Sequence, residues 1–178
     1  MEKLKTFTPR QVEVVKNAAA MAEELASDFF KMSASQWLKR RYDIKTSKDL
    51  SKNEIIQGPF AQIIRYSGRR RGDCLGSSAY DFYKICVQDH SILTVLEQFS
   101  DMKLFPFALY IIIHELVHII RFSRFLQNFD ASPDEIHDEE VRVHELTADI
   151  LKDVRTPGIG DVVKFYRKWR VPMESSRL

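Results

Sequence analysis

The stretch LFPFALYIIIHELVHII, residues 104–120, decides the fold. It is apolar on nearly every side of a helix, and such a helix is covered all round at the centre of a domain. We therefore expect a core helix from Leu104 to about Asn128, with the other elements wrapped around it. Three ionisable side chains interrupt the apolar run: His114, Glu115 and His118. Each is costly to bury unless it is paired, hydrogen-bonded or bound to a metal.

Toward the C-terminus, Asp130-Ala-Ser-Pro133 punctuates the chain. Ser132 suits a helix N-cap and Pro133 the first helical position, while Asp134 and Glu135 suit the positive end of the helix dipole. The helix they open is expected to run to about Val154, where Thr156-Pro-Gly158 ends it, and a short helix follows from Asp161 to Trp169. Toward the N-terminus, Asp89 or Ser91 caps a short helix that reaches about Phe99. Phe60–Tyr66 and Ala79–Val87 are rich in β-branched and aromatic residues and read as strands. The loop between them, Ser67–Ser78, carries Arg69, Arg70 and Arg71, which are expected to be solvated. Asp43–Asn53 is polar and reads as a connector with a helical turn around Lys48–Leu50. Thr8-Pro9 opens a long helix to about Met32, with Val12, Val15, Ala19, Ala22 and Ala26 on its buried face; Ser33 or Ser35 then caps a short helix with Trp37 and Leu38. The expectation is one α+β domain over residues 1–178, mostly helical, with a small sheet packed on the central helix.

Composition bounds the function. The chain has 178 residues, 44% hydrophobic and 29% charged, an ordinary globular mixture that needs no disulfide or metal merely to fold. With 27 Lys+Arg against 25 Asp+Glu the net charge is +2, which gives no electrostatic footprint for nucleic acid. Cys74 and Cys86 form no disulfide framework, so a reducing, cytoplasmic setting is expected. Met1–Thr6 lacks the apolar core of a signal peptide. The longest uncharged apolar run, Leu104–Ile113, is ten residues, against the ~20 of a membrane span, so no membrane is expected.

The chemistry lies in His114-Glu-Leu-Val-His118. Residues i and i+4 of a helix lie one above the other, so His114 and His118 can aim at one metal ion. Glu115, on the neighbouring position, can serve as general base toward a water there. Zn2+ suits two imidazoles, a carboxylate from elsewhere, and water in an open position where its pKa falls to ~7. The apolar residues on both sides of the motif strengthen that reading. Over residues 107–120 the chain resembles the zincin metallopeptidases, whose active helix carries HExxH within an apolar stretch. It looks like a bacterial HExxH protein of gluzincin type. The resemblance implies a zinc-dependent hydrolase acting on peptide or protein. It also implies a strand beside the active helix, for which Ala79–Val87 is the candidate, and a third ligand on the next helix, often a glutamate.

That next helix offers Glu139, Glu140, His144 and Glu145. Its apolar face is built from Ile136, Val143, Ile150 and Val154. At ~100° per residue Glu140 lies about 60° from Val143, His144 about 100° and Glu145 about 200°. Glu140 is therefore favoured as third ligand. His144 is expected to partner a ligand, to stabilise the oxyanion of the reaction, or to ligate itself. Glu145-Leu-Thr-Ala-Asp149 resembles the ExxAD signature of some peptidases, including those that cleave phage-type repressors, and keeps Glu145 as a rival ligand. If Glu140 and His144 both ligate, the site is a closed His/His/Glu/His set, the mark of a structural or regulatory metal module. A di-iron bundle fits less well, because Glu140 to His144 is one residue longer than its Glu-x-x-His motif. Asp89-His90 could support a ligand histidine, although such a pair more commonly caps a helix. Arg121 and Arg124 are expected at the solvated end of the metal helix.

Overall fold

A computed structural model describes residues 3–38, 42–69, 79–124 and 126–167. The expectations for Arg70, Arg71, Cys74 and Trp169 lie outside the described residues. Among those described, the chain is α+β, with six helices and a three-stranded mixed sheet. The helices are α1 (Pro9–Phe30), α2 (Ala34–Leu38), α3 (Asp89–Gln98), α4 (Leu104–Ser123), α5 (Pro133–Leu151) and α6 (Ile159–Phe165). The strands are β1 (Tyr42–Lys45), β2 (Ala61–Arg69) and β3 (Ala79–Val87).

Helix α4 is the core. Every residue from Pro106 to Arg121 is buried except Glu115. It is long and apolar enough to cross a membrane by length and composition, but 78% of its apolar window is buried inside the protein. Helix α1 covers one side. Its inner stripe is Val15, Ala18, Ala22 and Ala26, a rotation from the expected face that leaves Ala19 and Val12 only partly buried. Small side chains at this four-residue spacing let the two helices approach closely. The N-termini of α1 and α5 are both closed by capping boxes, Thr8 with Gln11 and Ser132 with Glu135. Each satisfies two backbone N–H groups that the helix leaves without partners.

Strand β3 runs in the middle of the sheet, parallel to β1 and antiparallel to β2. Ile44 and Ile63 flank Ile85 in register, and Tyr83, Ile85 and Val87 turn into the core. Strand β1 lies where a polar connector was expected. Its alternation covers only four residues, and its pairing partner lies some forty positions later in the chain. The opposite sheet face holds a polar knot. Lys84 Nζ, Tyr66 Oη and the Ser51 N–H donate to the Glu54 carboxylate at 2.7, 2.8 and 2.8 Å. The Lys84 bond, then those from Ser51 and Tyr66, hold the Glu54 carboxyl down at about 2, against an ordinary 4.5. A lowered folded-state pKa stabilises the fold above the unfolded value and loses that contribution as pH falls toward the folded one. Wild type should therefore be more stable than Glu54→Gln at neutral pH, and the gap should close between about pH 4.5 and 2. Urea midpoints measured across that window check it.

Asp89 does not cap α3. Gln88 occupies the N-cap without a side-chain bond to the first turn of the helix, and the Asp89 oxygens accept the N–H groups of Phe7 at 2.8 Å and Ser47 at 3.0 Å. Asp89 thus ties the N-terminal segment to the chain after β1, away from the histidines of α4. His90 is buried beside it and lines no part of the cavity described below.

The N-cap of helix α6 is Gly158, whose φ of 85° is left-handed. A Cβ there would meet Pro106 Cγ at 3.2 Å. Only glycine combines that conformation with so close an approach to α4. The turn brings Phe165 and Tyr166 against Phe107 and Tyr110 in the N-terminal half of α4.

Candidate metal centre

Helices α4 and α5 pack against each other and bring three donors to one point. His114 Nε2 and His118 Nε2 are 3.1 Å apart, as their i, i+4 spacing dictates. Glu140, on α5, places Oε2 3.1 Å from His114 Nε2 and Oε1 3.0 Å from His118 Nε2. Zinc–nitrogen bonds of ~2.0–2.1 Å at a tetrahedral angle put neighbouring donors about 3.3–3.4 Å apart. The histidine–histidine edge is close to that, the carboxylate turns one oxygen toward each imidazole, and one donor atom from each of the three residues lies within 4.8 Å of the others, so the group could hold one metal ion. Two imidazoles and a carboxylate suit zinc and other first-row ions alike.

The electrostatics agree with a cation site. Burial alone would raise the Glu140 carboxyl, but the bonds from His114 and His118 outweigh it and hold the group well below the usual carboxylate range. Burial likewise pulls His118 down, while its bond to Glu140 and the nearby Glu115 carry it up to about 9. A metal ion bound at this centre takes the place of the proton held there. Gln127 Oε1 accepts from His118 Nδ1 at 3.0 Å, which directs Nε2 to the centre.

Glu115 lines the same cavity as the three donors. Burial pushes its carboxyl up, against the opposing pull of His114 and His118. The cavity measures about 690 Å³, in the range of small-ligand and substrate sites. Its walls are mainly apolar, with Phe60, Ile63, Ile111, Phe122 and Val141 among them. One wall is the segment 58–63, the start of β2, which forms an edge of the sheet. The strand expected beside the core helix was Ala79–Val87; it is the middle strand of the sheet, and its Tyr83 ring stacks on Phe122 of α4, while β2 supplies the cavity wall.

His144 stands beside the donor set. It is buried, its Nδ1 is 2.9 Å from Tyr110 Oη, and its Nε2 is 3.9 Å from Glu140 Oε2. Tyr166 stacks on Tyr110 at 4.1 Å and on His144 at 5.2 Å. The group of donor atoms lying within 4.8 Å of one another, among the described residues, contains His114, His118 and Glu140 but not His144. Glu145 and Asp149 are exposed, on the outer side of α5. Ile136, expected on the inner face, is 45% exposed at the cavity wall.

Several residues here escaped the sequence reading. Tyr110 lies one turn before His114, so its phase on α4 was a usable signal. His137 lies one turn before Glu140 and lines the cavity, with Nε2 buried and without a hydrogen-bond partner among the described residues. Tyr166 and Gln127 arrive from other segments, and nothing local marks them. Arg121 is buried rather than solvated. Arg124 donates to the Phe30 carbonyl at 3.2 Å and lies over the Phe30 ring.

Comparison with protein-family profiles, curated proteins and solved structures found no match for this chain.

Proposed function

We propose that the chain is a zinc-dependent hydrolase of zincin type that cuts peptide bonds. The observation that carries this reading is the placement of Glu115 in one cavity with His114, His118 and Glu140. The donor set alone would suit several metals; HExxH on an apolar helix, with an acid between the histidines, favours zinc. Zinc held by the two histidines and Glu140 would supply a Lewis acid and lower the pKa of water at neutral pH. Glu115 accepts the proton of the attacking water and delivers it to the leaving amine. His144, oriented by the Tyr110 hydroxyl, faces the developing oxyanion as a hydrogen-bond donor. The β2 edge can pair with the backbone of an extended substrate, and the apolar walls exclude water around it. A cavity of about 690 Å³ over the donors favours an open centre over a closed four-ligand one.

The test is a mixture of peptides, read by mass spectrometry, with protein purified without a metal-affinity column. Cleavage should disappear on chelation and return with about one zinc per chain. Fully zinc-loaded protein that cuts no member of a proteome-derived peptide library would overturn the hydrolase reading.

A further inference from the structure

Arg121 lies one turn beyond His118 on α4 and is 8% exposed. Its Nε contacts Glu139 Oε1, and its Nη2 is 3.2 Å from Oε2. The two side chains are only 10% and 13% exposed. A pair so buried is a poor source of stability, because desolvating both ions offsets their attraction. Its position suggests another use. Glu139 immediately precedes Glu140. Arg121 Nη2 also reaches the Leu126 carbonyl at 3.5 Å, and the Leu126 N–H returns to the Arg121 carbonyl at 2.9 Å. The next residue is Gln127, whose Oε1 accepts from His118 Nδ1. One guanidinium therefore joins the helix that aims the carboxylate donor to the loop that holds the tautomer of a histidine donor.

We propose that Arg121 is the positioning residue of the metal centre. Through Glu139 it sets the phase of α5 that turns Glu140 toward the histidines, and through Leu126 it keeps Gln127 on His118. The inference rests on the reading of His114, His118 and Glu140 as metal donors. Partners outside the donor set commonly change metal affinity ~10–100-fold, by fixing the orientation of the groups that bind. Arg121 acts on two of the three donors at once.

The experiment measures Zn2+ affinity by competition with a chromogenic chelator, and the visible spectrum of the Co2+ form, on the full chain. Arg121→Met combined with Glu139→Met removes both charges together and leaves neither ion stranded. Metal-free, this protein should unfold near the wild-type temperature, yet bind Zn2+ about 10–100-fold more weakly, with an altered Co2+ spectrum. Arg121→Lys keeps the charge but loses the two-pronged grip, and should give an intermediate affinity. It also decides the matter if the double variant does not fold. Gln127→Ala should weaken Zn2+ binding in wild type but add little in the Arg121→Met/Glu139→Met background, since both changes release the same histidine. Zn2+ affinity and Co2+ spectrum unchanged in the Arg121 variants, with wild type binding metal, would overturn the proposal and leave the pair purely structural. Wild-type protein that binds no Zn2+ would instead remove the metal reading itself, and the two failures are told apart by the wild-type titration alone.

Discussion

Replacing His114 and His118 together by alanine should abolish tight zinc binding, where the wild-type chain is expected to take up about one zinc. The two Nε2 atoms are 3.1 Å apart and both face the Glu140 carboxylate, so the double variant keeps one donor of the three. Glu140→Ala alone should weaken binding by more than ~100-fold, beyond what the loss of an outer partner costs. Glu145→Ala should change it by no more than about twofold, because an exposed side chain on the outer face contributes little. Equilibrium dialysis with elemental analysis measures all three. Full zinc occupancy in the double-histidine variant would sink the metal site. If Glu145→Ala rather than Glu140→Ala strips the metal, α5 presents a different face in solution and the repressor-cleaving peptidases become the better analogy.

Glu115→Gln should separate metal binding from chemistry. The replacement has the same shape and still lines the cavity, but it cannot take a proton. Zinc affinity should stay within a few-fold of wild type, and peptide cleavage should fall by about 10²–10⁴-fold, the usual worth of a general base. Parallel measurements of zinc stoichiometry and cleavage rate check it. Loss of zinc from a folded Glu115→Gln protein would make Glu115 a ligand and remove the base from the proposed mechanism. Cleavage at the wild-type rate would assign the proton transfer to another group, and His137, on the cavity wall with its Nε2 lacking a hydrogen-bond partner among the described residues, would be the first to replace.

What could be read from the sequence follows from how local each signal is. The core helix, the N-caps at Thr8 and Ser132, and strand β3 are written in contiguous residues with the right pattern, and the structure has them. The inward phase of Glu140 was legible because Val143 fixes the buried face of α5 three residues later. Features that depend on distant partners were not legible. Strand β1 exists because β3 offers it a ladder. Arg121 looked like a helix-end cation because the sequence does not tell that Glu139 folds over it. Leu104–Asn128 was read five residues too long, since the Leu126 N–H turns back to the Arg121 carbonyl five residues earlier and closes α4 after Ser123. Tyr166 reaches the site only through the left-handed turn at Gly158, a consequence of how α6 docks on Pro106.

The apolar girth of α4 has a consequence for the order in which the chain is made. Synthesis delivers α1 and the sheet first, then twenty residues greasy enough to enter a bilayer, and only afterwards α5 and α6. The alanine stripe of α1 is therefore the first helical surface available to shelter the nascent core helix on the ribosome. Until α5 follows, the far side of α4 has no cover and is open to chaperones, membranes or other nascent chains. The same segment that carries His114, Glu115 and His118 is thus the most exposed to misrouting during biogenesis, and a change that widens the α1 stripe would strike there before it altered the finished site.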